Sequence, residues 1–280
     1  MKSDGEAIWR DIELIRDKAP LVHNITNYVV MNSTANSLLA IGAFPVMAHA
    51  VEEVEEMVSM AGALVLNIGT LSPPWVAAMV KAGHEAKRKR IPVILDPVGS
   101  GATRMRTRAA LRLLKEVEPA VVRGNASEIA SVAGSFAGTK GVDSTRSSES
   151  VAALAQVLSR KQNCVVVISG ATDIIIDDGA VARVRNGHSL MSRVTGMGCA
   201  ATALIGAFAA VNPSPFKASA HAMAFMGIAG ELAAKKAAGP GGFQVCFLDA
   251  LYGIKKADIE KRLKMVTTGF KAHKHKKRKA

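Results

Sequence analysis

Four short runs of consecutive apolar residues constrain this chain most. They are Ala63-Leu64-Val65-Leu66, Pro92-Val93-Ile94-Leu95, Ala120-Val121-Val122 and Cys164-Val165-Val166-Val167-Ile168. A strand with one wet face alternates apolar and polar side chains, whereas a strand apolar at every position is covered on both faces. Stretches of helical length separate these runs, at Pro73 to Arg90, Thr107 to Glu118 and Val151 to Arg160. Such alternation predicts an α/β fold of three layers, α/β/α, around a mainly parallel central sheet. Ligands of such sheets bind beyond the carboxyl ends of the strands. Asp96, Arg123 and Ser169 each fall at the end of a run on that side.

The rest of the chain fits the same pattern. Residues 3–18 have Ile8, Ile12 and Ile15 on one helical face, Leu21 to Asn27 reads as a short strand running into a polar turn, and Ser33 to Ile41 as a helix. Gly42 to Met47 is a short strand whose Pro45 requires an edge or an end. Glu52 to Gly62 reads as an acidic helix, and Gly134 to Ser150 as a polar loop. Asp178-Gly179 marks a hairpin between Asp173–Asp177 and Val181–Arg185. Two helices are expected over about 214–238 and 243–264. Residues 1–264 are read as one domain.

Of the net charge of +13, the last 26 residues carry +9, from eleven Lys/Arg against two acids. Residues 265–280 are therefore expected to be a basic, disordered tail. A nucleic-acid contact through that tail is the sharper alternative, but the rest of the chain carries little excess charge and few aromatic residues for stacking. Cys164, Cys199 and Cys246 are too far apart in sequence for a zinc or disulfide framework. No signal-peptide core opens the chain and no apolar run spans a bilayer, so a cytoplasmic protein without a membrane partner is expected.

Val194-Thr195-Gly196-Met197-Gly198-Cys199 leads into the apolar run that ends at Val211. Glycines before a helix admit close approach of a ligand, and the free N–H groups of the first turn attract anions. Cys199 stands beside that turn. A glycine turn leading into a core helix, with Cys199 as a small buried residue, is the plainer reading. Asp96 and Glu128 suit Mg²⁺, which binds few carboxylates and keeps phosphates and waters; Glu128 also fits a capping box with Asn125. Arg123 needs a partner, either a carboxylate or a phosphate. Together these groups fit phosphoryl transfer. The chain lacks G-x-x-x-x-G-K-[ST], which excludes a Walker-type site.

Five segments then occur in order: His23-Asn24-Ile25-Thr26-Asn27, Gly42-Ala43-Phe44-Pro45-Val46-Met47, Leu95-Asp96-Pro97-Val98-Gly99, Arg123-Gly124-Asn125-Ala126-Ser127-Glu128-Ile129 and Thr195-Gly196-Met197-Gly198-Cys199. Over residues 10–255 the chain resembles the hydroxyethylthiazole kinase family of the ribokinase-like superfamily. The resemblance implies a ribokinase-like fold, ATP as co-substrate, Mg²⁺ as cofactor, and the thiazole alcohol of thiamine synthesis as acceptor. It implies a homotrimer with sites at subunit interfaces. It places Met47, Gly196 and Asn24 on the acceptor, Arg123, Ser169 and Gly198 on ATP, and Asp96 and Glu128 on Mg²⁺. Cys199 falls where related kinases carry an aspartate base. Ser169 replaces the usual Thr and keeps its hydroxyl, and Met197 is larger than expected between the glycines. A kinase of another small alcohol, such as hydroxymethylpyrimidine, would use the same phosphate machinery.

Overall fold

The computed structural model describes residues 3–137 and 148–269. Among the described residues its sheet contains nine strands. Six run parallel: β1 (Leu21–Ile25), β2 (Phe44–Val46), β3 (Ala63–Asn67), β4 (Val93–Asp96), β5 (Val121–Asn125) and β6 (Val165–Ser169). β7 (Asp173–Asp177), β8 (Ala180–Val184) and β9 (Met265–Thr268) then run antiparallel to their neighbours. The strand order is β2-β1-β3-β4-β5-β6-β7-β8-β9. β2 lies at one edge, which accommodates Pro45.

Side-chain alternation sorts the apolar runs into two cores. Ala63, Val65, Ile94, Val121, Val165 and Val167 join one core, with α1 (Asp4–Lys18), α2 (Met31–Ile41), α8 (Met197–Val211), α9 (Pro215–Ala234), α10 (Pro240–Gly253) and α11 (Lys256–Arg262). Leu64, Leu66, Val93, Leu95, Val122 and Val166 join the other. That core includes α3 (Val54–Ser59), α4 (Pro73–Lys89), α5 (Arg104–Val117), α6 (Ala126–Ala137) and α7 (Ser148–Gln162). The two layers of helices around one sheet bear out the expected α/β/α architecture.

Three boundaries differ from expectation. The helix expected over 243–264 divides into α10 and α11, and the one expected over 214–238 ends at Ala234, before a break at residues 235–239. α6 extends to Ala137 and α7 begins at Ser148, so of the polar loop expected over 134–150 only residues 138–147 remain, and these lie outside the described residues. Residues 265–268, expected to belong to the tail, form the strand β9 instead. Met265-Val266-Thr267-Thr268 are strand formers, and their backbone groups pair with the otherwise free edge of β8. Residues 270–280, which carry most of the tail's charge, lie outside the described residues.

α8 lies close on the sheet because its sheet-facing residues are small. A Cβ added at Gly206 would sit 2.9 Å from Val65 Cγ2 and 3.2 Å from Val22 Cγ1. α4 and α5 approach each other in the same way, with Gly83 against Val117. Gly83→Ala gains about 1 kcal/mol of helix propensity. Its Cβ, however, would lie 2.5 Å from both γ-carbons of Val117, and overpacking costs about 1–3 kcal/mol. Urea unfolding should therefore show a net loss for Gly83→Ala. Adding Val117→Ala should cost less than the two single losses together; strict additivity would refute this packing account.

Candidate functional site

The parallel strands end in polar residues that all point the same way. Asn24, Asn67, Asp96, Arg123 and Ser169 each stand two residues after an apolar side chain of the α8 core: Val22, Val65, Ile94, Val121 and Val167. The pleat repeats every two residues, so each polar side chain faces the α8 layer at its strand's carboxyl end. The first turn of α8 meets that row.

Gly196 is the N-cap of α8, with φ +86 and ψ −7. This left-handed geometry favours glycine. Gly198 is required for a different reason: a Cβ there would lie 2.8 Å from Arg123 Nη1. The Arg123 guanidinium thus rests against the opening turn of α8. Arg123 is 8% exposed, and its Nε has no hydrogen-bond partner among the described residues. Asp96 and Asp173 both feel its charge, yet neither forms an ion pair with it. Among the described residues no carboxylate is therefore paired with Arg123, which leaves an anion as a fitting partner.

Cys199 sits in a hydrogen-bonded network. Asn67 Nδ2 donates to Asp96 Oδ2 at 2.9 Å and to Cys199 Sγ at 3.2 Å. Asn27 Nδ2 donates to Asn67 Oδ1 at 2.9 Å and to the same sulfur at 3.5 Å. Thr202, one turn along α8, donates to Asp96 Oδ2 at 2.7 Å. Asp96 Oδ1 is buried and has no partner. Burial pushes the Asp96 carboxyl up to about 6, with the Glu128 charge adding to the rise and Arg123 opposing it. Burial, and then the Asp96 charge, push the Cys199 thiol up to about 11. The thiol is therefore protonated at neutral pH, and the lowering by a helix N-terminus does not prevail here.

Glu128 fulfils the capping reading drawn from sequence. Its Oε2 accepts from Asn125 N at 2.9 Å, while Asn125 Oδ1 accepts from Glu128 N at 2.9 Å, a reciprocal cap on α6. Its Oε1 accepts from Gly99 N at 2.8 Å, which ties the loop after β4 to α6. Its charge still acts on Asp96. Among the described residues no three acidic, His or Cys side chains gather as a metal cage. A site of two carboxylates, one with a buried and unpartnered oxygen, fits Mg²⁺, which takes much of its coordination from phosphate and water.

A cavity of about 710 Å³ opens beside this network, lined by Arg123, Ser169, Asp173, His188, Gly198 and Met226 among others. Gly196 and Met197 also line it, and Met197 is buried. Ser169 Oγ donates to Gly124 O at 3.3 Å. Cys199, Asp96, Arg123, Ser169, Gly196 and Gly198 thus converge. Asn24 and Met47 stand apart on the β1–β2 side: Asn24 Nδ2 donates to Val22 O at 2.8 Å, and Met47 follows the edge strand. Sequence reasoning missed Asn27, Asn67 and Thr202. Asn67 obeys the rule that picks out Asp96, the first polar residue after an apolar run. Arg106 was missed as well; it donates to Ile68 O, Gly69 O and Val98 O and joins the loops after β3 and β4.

A family model described as the Hydroxyethylthiazole kinase family matches residues 12–257. A hydroxyethylthiazole kinase of Syntrophus aciditrophicus is 57% identical over 95% of this chain and 99% of its own length. One from Leptospira biflexa is 57% identical over 90% of this chain and 95% of its own. A solved hydroxyethylthiazole kinase structure from Pyrococcus horikoshii superposes with a TM-score of 0.88 at 44% identity, covering 94% of this chain and 99% of that one. Staphylococcus aureus pyridoxal kinase, at 16% identity and TM-score 0.57, shares the fold, covering 76% of this chain and 88% of that one. The fold is ribokinase-like.

The buried Asp96 charge makes a stability prediction. Its carboxyl titrates at 3.8 in an unfolded chain and at about 6 in the fold. Below 3.8 it is neutral in both states and costs nothing. As pH rises through 6 the fold loses about 3 kcal/mol relative to a neutral side chain. Asp96→Asn keeps an acceptor for Asn67 and Thr202 and removes the charge. In EDTA and without nucleotide, its thermal midpoint should exceed that of the parent at pH 8, with the gap closing at pH 4. An equal gap at both pH values would refute the assignment.

Proposed function

This chain belongs to the hydroxyethylthiazole kinase family and is an ATP-dependent small-molecule kinase, and we propose on that premise how its site acts. The acceptor is the primary alcohol of 4-methyl-5-(2-hydroxyethyl)thiazole, and its phosphate is consumed in thiamine phosphate synthesis. The observation that carries the site assignment is the buried Arg123 guanidinium, with Nε unpartnered, against Gly198 at the mouth of α8. A buried arginine without an anion is costly, and a polyphosphate is the anion this cavity admits.

ATP lies in the cavity with its phosphates toward α8. Arg123 and the Ser169 hydroxyl hold the nucleotide, and the first-turn amides around Gly198 and Cys199 face the transferred group. Asp96, and Glu128 through water, would hold Mg²⁺, which neutralises phosphate charge. The acceptor lies against Gly196, with Met47 and Asn24 on its other side. Its hydroxyl oxygen forms the new bond to the γ-phosphorus, the bond to ADP breaks, and the hydroxyl proton passes to an oxygen of the transferred phosphoryl group and from there to solvent. Cys199 stands beside that oxygen. Its thiol, pushed up to about 11, offers little thiolate at neutral pH. A loose transition state asks little of a base, so positioning and electrostatics supply most of the rate.

Exposed Phe44 on the edge strand β2 and exposed Leu39 on the neighbouring α2 support a homotrimer whose subunits complete each other's acceptor side. No helix among the described residues is long and apolar enough to cross a membrane. The three free cysteines suit a reducing cytoplasm.

ADP release with Mg²⁺, ATP and the thiazole alcohol tests the reading, with hydroxymethylpyrimidine as a second acceptor. Asp96→Ala should reduce kcat/KM by about a hundredfold or more, in line with loss of a key electrostatic group. Arg123→Gln should raise the KM for ATP far more than that for the alcohol. Cys199→Asp should retain or raise kcat, and Cys199→Ala should keep a measurable remnant. If Cys199→Ala and Cys199→Ser both match the parent in single turnovers, the base role is wrong. Light scattering should return three times the 29.4 kDa chain mass; a monomer would end the shared-site proposal.

A further inference from the structure

We infer that Tyr28, His49 and Trp75 form an aromatic clamp that positions the acceptor side of the site, an inference that rests on the kinase reading above. Three loops meet there, after β1, β2 and β3. The first carries Asn27, the second begins at Met47, and the third begins at Ile68 and Gly69. Each loop, or the helix it opens, contributes one ring. Tyr28 and Trp75 lie 4.9 Å apart between centroids, His49 and Trp75 4.6 Å, and Tyr28 and His49 6.3 Å.

Trp75 is the fixed member. It stands in the first turn of α4, where its N–H donates to the Ser72 cap, and it is 6% exposed. Tyr28 is 62% exposed, so it contributes little to the core and leans on Trp75 from the rim. Its neighbour Asn27 is packed against Gly69, where an added Cβ would lie 2.7 Å from Asn27 Nδ2. Tyr28 thus adjoins, through the backbone, the residue that donates to both Asn67 and Cys199.

His49 does the same for the loop that carries Met47. Residues 47–53 contain neither helix nor strand. Besides the ring contact, His23 Nε2 donates to Ala48 O at 2.8 Å and Lys81 Nζ to Val51 O at 3.0 Å. Burial lowers the pKa of His23, which keeps it neutral with its proton on Nε2. The ring of His49 is thus the side-chain contact that joins this loop to the two beside it.

Steady-state kinetics with each substrate varied in turn tests the clamp. Tyr28→Ala should raise the KM for the thiazole alcohol about two- to tenfold, the value of one aromatic pair. The KM for ATP and the thermal midpoint should stay near those of the parent. Tyr28→Phe keeps the ring and should restore the parent KM. His49→Leu should reproduce the acceptor defect by way of the second loop. An unmoved acceptor KM in both variants, an equal rise for ATP, or failure of Tyr28→Phe to rescue would overturn the clamp. A parent enzyme that ignores the thiazole alcohol but phosphorylates hydroxymethylpyrimidine overturns the substrate assignment alone, and the same KM comparison is then made with that alcohol. Turnover of neither acceptor overturns both.

Discussion

The site depends on how closely α8 lies on the sheet. Gly206 sits where any larger residue would meet Val65 and Val22. Ala200, Ala203 and Ala207 of the same helix are small and buried in the core on that side of the sheet. That approach brings the first turn of α8 onto the row of polar strand ends. Thr202 then reaches Asp96, Asn67 reaches Cys199, and the Arg123 guanidinium meets Gly198. A bulkier helix would stand off from the sheet, and those short hydrogen bonds would lengthen together.

Stability and function pull apart at this place. An interior of this kind is built from Ala, Val, Ile and Leu, with dense packing on both faces of the sheet. Into it the chain sets a carboxyl with one oxygen unpartnered and a guanidinium with an unpartnered Nε. Both raise the free energy of the empty fold. Phosphate charge and its counter-ion would satisfy both at once. On the proposed reading, nucleotide binding would relieve that cost, which favours binding without adding any new contact elsewhere.

Much of this was legible in residue order. The apolar runs revealed a sheet covered on both sides, Pro45 required an edge, and Asp178-Gly179 marked the hairpin. Asp96, Arg123 and Ser169 were recognisable because each ends an apolar run. The order of strands was not legible, because every run is equally apolar, and convergence depends on that order. Asn27 and Asn67 were hidden because an asparagine near a turn is ordinary; only the tertiary meeting with Cys199 distinguishes them. The shift of the Cys199 thiol also needed coordinates. A helix N-terminus alone suggests a lower value, and burial beside Asp96 reverses it. The last strand was missed because charge drew attention away from Met265-Val266-Thr267-Thr268.

The sheet changes direction after β6, and Gly170-Ala171-Thr172 is the whole connection to β7. A further parallel strand would have required a crossover of about a dozen residues or more, usually a helix. That crossover would start at the strand end where Ser169 and Asp173 now border the cavity. A three-residue reversal instead keeps Ser169 and Asp173 together at the border of the cavity, opposite Met223 and Met226 of α9. On the proposed reading, the tight turn leaves the space beyond β6 to the nucleotide and not to a crossover helix.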